Sequence, residues 1–369
     1  MIMEEQLLKN EEKAIFALRS LYRAYGYLPF KMSKFEEYEL YVRNKDFLVS
    51  DRIITFNDTN GKLMALKPDV TLSIIINTSD AAGVKQKVHY NENVYRISQR
   101  THQYKEIMQA GLECVGDIDF YDLFETVLLA AKSLAVISED FVLDVSHLGI
   151  LTAVLDDVGG GEGFRREAAV CIAGKNRHDL KKLCSAEGLS EEQTQKLLCF
   201  IDIYGNMEQV LERLEPICNS ENARDALEQL KTLAKLLENT PYANRIRFDF
   251  SIVNDMNYYN GIVFRGFLSG ICEGVLAGGQ YDKLLRRMGR KSGAVGFALY
   301  LDLLEELQEP RASYDVDVLI LTDSDADPAH TAKIVGELTA GGECVSVQRA
   351  VPEKLRYRRL LDLRKGDRA

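Results

Sequence analysis

The sequence lacks any apolar run that approaches the roughly 20 residues a helix needs to cross a bilayer. Its first residues, MIMEEQLLKNEEK, carry acidic side chains early and contain no apolar segment followed by a small-residue cleavage site. A secretory signal contains an apolar segment followed by such a cleavage site, so secretion is not expected. These absences predict a cytoplasmic protein without a membrane anchor.

Paired metal ligands are also missing. The seven cysteines are scattered without a C-x-x-C pair, and the five histidines form no close pair. Scattered cysteines are typical of reduced thiols in a cytosolic protein rather than of a disulfide framework. A zinc site would need clustered ligands. The sequence therefore predicts no metal site and no cofactor.

Positive charge is in deficit, with 46 Lys and Arg against 56 Asp and Glu, for a net charge of −10. Dedicated nucleic-acid binders more often carry a basic domain or stripe, so this balance argues against tRNA as the main partner. What is present is ordinary globular composition, 46% hydrophobic and 28% charged residues. The length of 369 residues suffices for two domains and a substantial core.

Helical periodicity is clearest in two segments, residues 4–26 and 120–137, where apolar side chains recur at helical spacing. A glycine run at 159–163 then predicts a flexible boundary. From there to about residue 242 the sequence is charged and helical throughout. The segment 161–242 is therefore interpreted as a helical insertion.

Strand patterns flank this insertion. Residues 52–66 predict a hairpin with Asn60-Gly61 at its turn, and segments 87–97 and 107–115 predict a second strand pair around a polar loop. Alternation at 246–252 predicts a further strand. Hairpins outnumber crossovers, which favours an α+β fold with an antiparallel sheet flanked by helices.

These patterns give a division into three parts. Residues 1–160 and 243–310 form the predicted core, and 161–242 is the helical insertion. The last part, 311–369, predicts a small α/β segment: a strand at 316–321, a helix near 328–340, a strand at 343–348 and a basic end.

The first candidate for chemistry is LKPDVT at residues 66–71. A bound cation needs a charged acceptor and neutral acceptors, and Asp69 with Thr71 would supply both from one face of a strand or extended turn. Taken alone, the Pro-Asp pair would be an ordinary turn.

A second candidate is the pair of strands that carries Arg96 and the segment QAGLE at 109–113. Gln109 and Glu113 alternate with Gly111, so the two side chains share a face while the glycine leaves room for a ligand. The fork of Arg96 suits a carboxylate or a phosphate. Any one of these residues alone would be typical of a solvated sheet face.

Two aromatic and glycine-rich segments complete the set. Tyr258-Tyr259-Asn260-Gly261 is followed by GGQYD at 278–282, which includes Tyr281. Tyrosine hydroxyls can bind a ring nitrogen, and glycines allow close approach; isolated tyrosines would more often be core residues. The segment 293–303, GAVGFALYLDL, alone predicts a packing strand running into a helix.

Taken together and in this order, the four patterns resemble those of histidyl-tRNA synthetases. The resemblance covers about residues 4–310 and implies a class II aminoacyl-tRNA synthetase-like core. It also implies a histidine-binding site, in which Asp69 and Thr71 hold the α-ammonium group and the tyrosines form the imidazole pocket. The implied site comprises Asp69, Thr71, Arg96, Gln109, Glu113, Tyr258, Tyr259 and Tyr281.

The departures from this family fall on its catalytic positions. Asn254 stands where the family has a catalytic arginine, and Leu303 stands where it has an ATP-binding arginine. Losing one donor to developing negative charge typically costs about 10²–10³ in rate, so losing both should abolish amino-acid activation. The loop at 98–106 is also shorter than the family's, and Lys34 replaces a proline.

A synthetase-like body without ATP arginines, with a short C-terminal segment, resembles the ATP phosphoribosyltransferase regulatory subunits, a family of catalytically silent paralogues. This resemblance implies a subunit that serves the first step of histidine biosynthesis and its feedback inhibition by histidine. The implied partner is the short-form catalytic ATP phosphoribosyltransferase subunit, in a hetero-octamer built on a homodimer through the core. Arg96 would replace the carboxylate contact of the missing arginine.

Alternatives remain at this point. The chain could be an active histidyl-tRNA synthetase, or a histidine- or tRNA-sensing module for another partner. The regulatory histidine could occupy the remnant pocket or the subunit interface.

Overall fold

The computed structural model describes residues 8–44, 53–97, 102–253, 258–307 and 314–364. The chain divides into two compact units, residues 1–307 and 308–369. Within the described part of the chain, no helix combines the length and the apolar character needed to span a membrane.

Eleven α-helices are described in the first unit, and the second unit contributes α12. They are α1 (Asn10–Ala24), α2 (Tyr38–Arg43), α3 (Thr71–Ile76), α4 (Phe120–Ile137), α5 (Leu148–Val158), α6 (Glu162–Ala173), α7 (Arg177–Glu187), α8 (Glu191–Asp202), α9 (Met207–Leu214), α10 (Glu221–Glu238), α11 (Asp282–Arg287) and α12 (Pro328–Ala340). Short 3-10 helices cover Ala243–Arg245 and Leu301–Glu306.

The described strands form three sheets. They are β1 (Leu28–Pro29), β2 (Phe35–Glu37), β3 (Thr55–Asn57), β4 (Leu63–Leu66), β5 (Lys85–Ile97), β6 (Tyr104–Gly116), β7 (Phe141–His147), β8 (Tyr204–Gly205), β9 (Ile246–Asp249), β10 (Ile262–Leu268), β11 (Leu276–Gln280), β12 (Gly293–Tyr300), β13 (Val316–Leu321), β14 (Val345–Gln348) and β15 (Tyr357–Asp362). The largest sheet has nine strands in the order β1-β5-β6-β12-β11-β10-β7-β9-β8.

This sheet is antiparallel through its centre, as the sequence predicted. Two pairs differ, because β1 lies parallel to β5 and β7 lies parallel to β9. Both involve short strands reached from distant parts of the chain, which alternation within a strand cannot reveal. Helix α4 packs against the sheet with most of its apolar face buried, and Asp119 caps its first turn by accepting the backbone N–H groups of Tyr121 and Asp122.

The predicted hairpins are present. The helix predicted at residues 4–26 is observed as α1, Asn10–Ala24, and residues 4–7 of that prediction lie outside the described residues. Strands β3 and β4 pair antiparallel around the Asn60-Gly61 turn, where Gly61 has a φ of +78°. Strands β5 and β6 pair over their full lengths, and α4 has the predicted bounds. Residues 161–242 contain the five helices α6 to α10 and the two-residue strand β8, which joins the edge of the main sheet.

In the second unit, β13 lies between β14 and β15 in a parallel three-stranded sheet. The strand, helix and strand expected there correspond to β13, α12 and β14. Strand β15 was not predicted. Its sequence, YRRLLD, has no polar–apolar alternation, and most of its side chains are exposed.

Candidate functional site

A cavity of about 420 Å³ opens over the centre of the large sheet, where β6, β12 and β11 lie side by side. Eight of the residues that line it are those singled out from the sequence, Asp69, Thr71, Arg96, Gln109, Glu113, Tyr258, Tyr259 and Tyr281. The others are Tyr90, Ala277, Gly296, Phe297, Ala298 and Tyr300. The fold thus brings together side chains that are separated by up to about two hundred residues of sequence.

The floor of the cavity depends on glycine. Gly296 of β12 lies opposite Glu113 of β6 in the sheet register. A Cβ on Gly296 would lie 1.7 Å from Oε2 of Glu113 and 2.4 Å from the backbone oxygen of Leu112. A Cβ on Gly111 would lie 2.1 Å from the backbone oxygen of Phe297. Only glycine at these two positions leaves room for the buried carboxyl group and for the strands to pair.

Glu113 is the most buried acid of the site, with 2% of its surface exposed. The hydroxyl of Thr71 donates to one of its oxygens at 2.9 Å, and the hydroxyl of Tyr281 donates to the other. Burial raises the pKa of Glu113 to about 8; the two hydroxyl contacts lower it, and the charge of Asp69 raises it further. At neutral pH Glu113 is therefore mostly protonated.

Asp69 and Thr71 occupy a different local structure from the one expected. Residues 71–76 form α3, and Asp69 accepts the backbone N–H of Leu72 at 2.9 Å. The two residues therefore sit at a helix N-terminus, not on a strand or extended turn. Burial raises the pKa of Asp69, whereas its backbone hydrogen bonds and the charge of Arg96 lower it.

Arg96 is the cation among the described residues that line this cavity. Its Nε donates to the backbone oxygen of Pro68 at 3.0 Å, which places its side chain next to the start of α3. Asp69 and Arg96 suit a ligand that carries both a cation and an anion, because each of its charges then meets a group of opposite sign.

Three tyrosines form the aromatic wall. The ring centroids of Tyr258 and Tyr259 are 4.7 Å apart, and those of Tyr258 and Tyr281 are 5.6 Å apart. Burial raises the pKa of Tyr258 and of Tyr281 well above the usual value. Both hydroxyls are therefore neutral. That of Tyr281 donates to Glu113, so it can accept a hydrogen bond from a planar ligand that lies against the rings.

The sequence model of the histidyl-tRNA synthetases matches residues 3–304, most of the chain. The chain belongs to the histidyl-tRNA synthetase family. Within this family it is similar to proteins that carry a different name. One of them, an ATP phosphoribosyltransferase regulatory subunit from Oceanobacillus iheyensis, is 26% identical over 309 residues, or 83% of this chain and 76% of that protein.

Solved structures align with this chain over most of its length. One from Bacillus halodurans, described as an ATP phosphoribosyltransferase regulatory subunit/histidyl-tRNA synthetase, aligns with a TM-score of 0.76 and 22% identity, covering 96% of this chain and 94% of that one. A chain of the ATP phosphoribosyl transferase (HisG:HisZ) complex from Thermotoga maritima aligns with a TM-score of 0.63 and 18% identity, covering 79% and 97%. At these identities the alignments establish the fold.

Of the two positions where the sequence lacks an arginine of the catalytic pattern, the structure describes Leu303 but not Asn254. Leu303 lies on the 3-10 helix Leu301–Glu306 and packs, partly buried, against the main hydrophobic core. It does not line the cavity. Asn254 and the first residues of the loop at 98–106 lie outside the described residues.

Sequence reasoning missed Tyr90 as part of the site. Tyr90 lies opposite Gly111 in the β5–β6 register, and its hydroxyl donates to the backbone oxygen of Phe297 at 3.3 Å. Counting alternate positions along β5 would have found it once the register was known. Tyr300, in the segment 293–303 that was expected only to pack, also lines the cavity.

Proposed function

We propose that this chain is the non-catalytic regulatory subunit of ATP phosphoribosyltransferase, the enzyme of the first step of histidine biosynthesis. It responds to histidine as a feedback inhibitor and acts in the cytoplasm. The observation that carries the proposal is that all eight side chains expected to bind histidine line one cavity, while Leu303, where the resemblance implies an ATP-binding arginine, packs against the core.

Histidine fits the chemistry of this cavity. Its α-ammonium group would meet Asp69 and Thr71, its carboxylate would meet Arg96, and its imidazole would lie against Tyr258, Tyr259 and Tyr281. Gln109 and Glu113 on β6 would contact the ligand from the floor. These roles are proposals that rest on the placement of all eight side chains around one cavity.

Amino-acid activation with ATP requires fixed cations aimed at the developing negative charge. A leucine at position 303 cannot supply one, and Arg96 is the cation among the described residues of the cavity. These residues therefore support binding of histidine without its activation by ATP. Histidine then acts as an effector only if it binds two states of the assembly with different affinity.

The proposed partner is the short-form catalytic subunit of ATP phosphoribosyltransferase. Two observations support it: the similarity to the Oceanobacillus regulatory subunit and the shared fold with a chain of the Thermotoga complex. We further propose a homodimer through the synthetase-like core and a hetero-octamer with the catalytic subunits.

Reconstitution tests this function. The purified chain is mixed with a short-form catalytic subunit, and phosphoribosyl transfer to ATP is measured with and without histidine. We expect the mixture to be active and to be inhibited by histidine, while the chain alone does not charge tRNA with histidine. Failure of the two proteins to associate, or charging of tRNA, would contradict the proposal.

A matched pair of variants shows where histidine acts. Tyr281→Phe removes a hydroxyl that contacts Glu113 inside the cavity, whereas Tyr242→Phe removes a hydroxyl outside it. We expect only Tyr281→Phe to weaken inhibition, by about tenfold, since losing the hydrogen bond that holds Glu113 in place beneath the ligand costs roughly 1–2 kcal/mol. Equal inhibition of both variants would place the regulatory histidine at the subunit interface instead.

A further inference from the structure

A hydrogen-bonded cluster next to the cavity joins the two segments that carry its three tyrosines. One oxygen of the Asp282 carboxylate accepts hydrogen bonds from the side-chain amides of Asn260, at 3.2 Å, and Gln280, at 2.7 Å. The other oxygen accepts the backbone N–H of Ala294 at 3.0 Å. Asp282 is partly buried and is not among the residues that line the cavity. We call Asn260, Gln280 and Asp282 the clamp.

Asn260 directly follows the tyrosine pair 258–259 in the chain and is fixed at three points. Its backbone N–H donates to the backbone oxygen of Gln280 at 3.0 Å. Its side-chain nitrogen donates to Asp282, and its side-chain oxygen accepts the backbone N–H of Lys283 at 3.2 Å. The place of the tyrosine pair is therefore tied to the segment 280–283.

Gly261 shows how closely the clamp is packed. A Cβ on Gly261 would lie 2.1 Å from Oε1 of Gln280, so a side chain there would displace the amide that donates to Asp282. The backbone oxygen of Gly261 accepts the N–H of Leu148 at 2.9 Å. The chain that leaves the tyrosine pair is thus fixed to the end of β11 on one side and to the start of α5 on the other.

The third tyrosine is held by the same residues. Tyr281 lies between Gln280 and Asp282 in the chain, and its backbone N–H donates to the backbone oxygen of Ala294 at 2.9 Å. The ring centroid of Tyr281 lies 5.6 Å from that of Tyr258 on the other segment. The clamp joins the two segments close to these rings, so its hydrogen bonds help to set the distance between them.

Three donors converge on Asp282, and an ionised carboxylate has the lone pairs to accept all of them. An asparagine at this position would have a single oxygen, and its NH2 group would face another donor. At least one of the three donors would then lose its acceptor. Hydrogen bonds to a charged group are also stronger than those between neutral groups. The charge of Asp282 is therefore part of what holds the clamp together.

We propose that Asp282 is a positioning residue of the cavity, which holds the two tyrosine segments at the separation that a bound imidazole requires. This role rests on the proposed histidine binding for the identity of the ligand, whereas the packing of the tyrosines does not depend on it. Asp282 acts through Asn260 and Gln280 and does not contact the ligand. Its replacement should therefore affect recognition of the ring more than that of the amino and carboxyl groups, which Asp69 and Arg96 are proposed to meet.

Asp282→Asn tests this role in the full-length chain. We expect isothermal titration calorimetry to show histidine binding at least about tenfold weaker than in the parent, because hydrogen bonds that hold the aromatic wall are lost. The variant should also discriminate less between histidine and a ring-methylated histidine, since the extra methyl group is excluded only while the rings keep their separation. A general loss of stability would weaken both ligands equally.

Asp80→Asn is the matched control. The carboxylate of Asp80 accepts the backbone N–H groups of Lys291 and Ser292, each at 3.1 Å, in the same connection between α11 and β12. Asp80 does not line the cavity, and these hydrogen bonds do not involve the clamp. The control should bind both ligands as the parent does. Equal weakening of histidine binding in Asp80→Asn and Asp282→Asn would overturn the proposal.

Near-ultraviolet circular dichroism measures the packing of the tyrosines without any ligand. The chain has 17 tyrosines and no tryptophan, so tyrosine dominates this signal. We expect the signal to change in Asp282→Asn and in Asn260→Ala, which leaves the carboxylate in place, but not in Asp80→Asn. If Asp282→Asn loses its far-ultraviolet helical signal, Asn260→Ala decides.

The two proposals can fail separately. A parent chain that does not bind histidine contradicts the proposed function, and the near-ultraviolet spectra still decide the role of Asp282. Spectra of Asp282→Asn and Asn260→Ala that equal the spectrum of the parent would overturn that role, even if histidine binds. Unchanged discrimination between histidine and its ring-methylated form in Asp282→Asn would overturn it as well.

Discussion

Glu113 is a carboxyl group whose ionisation depends on its surroundings. Both of its oxygens accept hydrogen bonds from hydroxyl groups. Its pKa is about 8 in the folded protein, against a usual value of 4.5. Between these two values the folded state holds a proton that the unfolded chain has released. Folding is therefore favoured at low pH, and this contribution is lost as the pH rises through about 8.

Glu113→Gln should remove that dependence. The amide is neutral at every pH, so the free energy of unfolding should fall less between pH 6 and pH 9 than it does in the parent protein. Each unit of upward pKa shift corresponds to about 1.4 kcal/mol. Urea unfolding of the full-length chain at several pH values measures the difference.

Glu212→Gln is the matched control, since Glu212 is exposed on α9 and removing its charge leaves the cavity unchanged. It should keep the pH dependence of the parent protein. Identical pH profiles for the parent and Glu113→Gln would show that the carboxyl group is ionised in the folded state.

At the residue scale, the sequence predicted which side chains line the cavity but not the protonation state of Glu113. Alternation along β6 places Gln109 and Glu113 on one face, and this depends only on neighbouring residues. The protonation of Glu113 depends on burial and on Tyr281, which is 168 residues away in the chain. That relation depends on the packing of three strands and has no local signature.

The central strands depend on glycines whose place a methyl group cannot take. Gly296→Ala would set a Cβ against Glu113 and the backbone of β6, so β6 and β12 would have to move apart. We expect a loss of about 1–3 kcal/mol or more in stability, as is usual when a packed core is overfilled. Histidine binding should be lost together with it. Thermal unfolding and calorimetry measure the two effects.

Gly163→Ala is the control at this scale. Gly163 lies in the first turn of α6, and a Cβ there has open space. Alanine favours a helix over glycine by about 0.5–1 kcal/mol, so this variant should be equally or more stable. If both glycine variants lose the same stability, the loss in Gly296→Ala does not come from the close approach of β6 to β12.

Elements were predicted best where their signals are local. Helix α4 carries its own cap and a long apolar face, and its bounds agree with the sequence. Asp69 and Thr71 were expected on a strand or extended turn, because the Pro-Asp pair alone indicates a turn, whereas Thr71 begins helix α3 and Asp69 accepts the backbone N–H of Leu72. The parallel pairing of β9 with β7 joins residues about a hundred positions apart and could not be inferred from either strand alone.

At the scale of the whole molecule, the two units differ in how much they bury. The first contains both large hydrophobic clusters and every residue of the cavity proposed to bind histidine. In the second, the fully buried apolar residues among 314–364 are those of β13, and α12 has no buried residue. Stability is therefore concentrated in the first unit.

A chain that ends at Leu307 should fold and bind histidine as the full-length chain does. Its cavity and core are complete, and the division between the units falls just after this residue. Circular dichroism and calorimetry compare the two chains. We expect the full-length chain to show an additional transition at lower temperature, from the smaller unit. Loss of helical signal or of histidine binding in the shorter chain would contradict this.

The large sheet ends in the two-residue strands β1 and β8. Pro29 in β1 has no backbone N–H to offer, and Gly205 in β8 has a φ of +128°, which interrupts an extended edge. Sheets with short or proline-bearing edges resist strand-by-strand growth and aggregation. Among the described residues, neither of these two terminal strands itself offers a long row of free amides to another polypeptide. A subunit that assembles with this chain is expected to recognise the side chains on its surfaces, which mutation can alter one at a time, rather than to pair with β1 or β8.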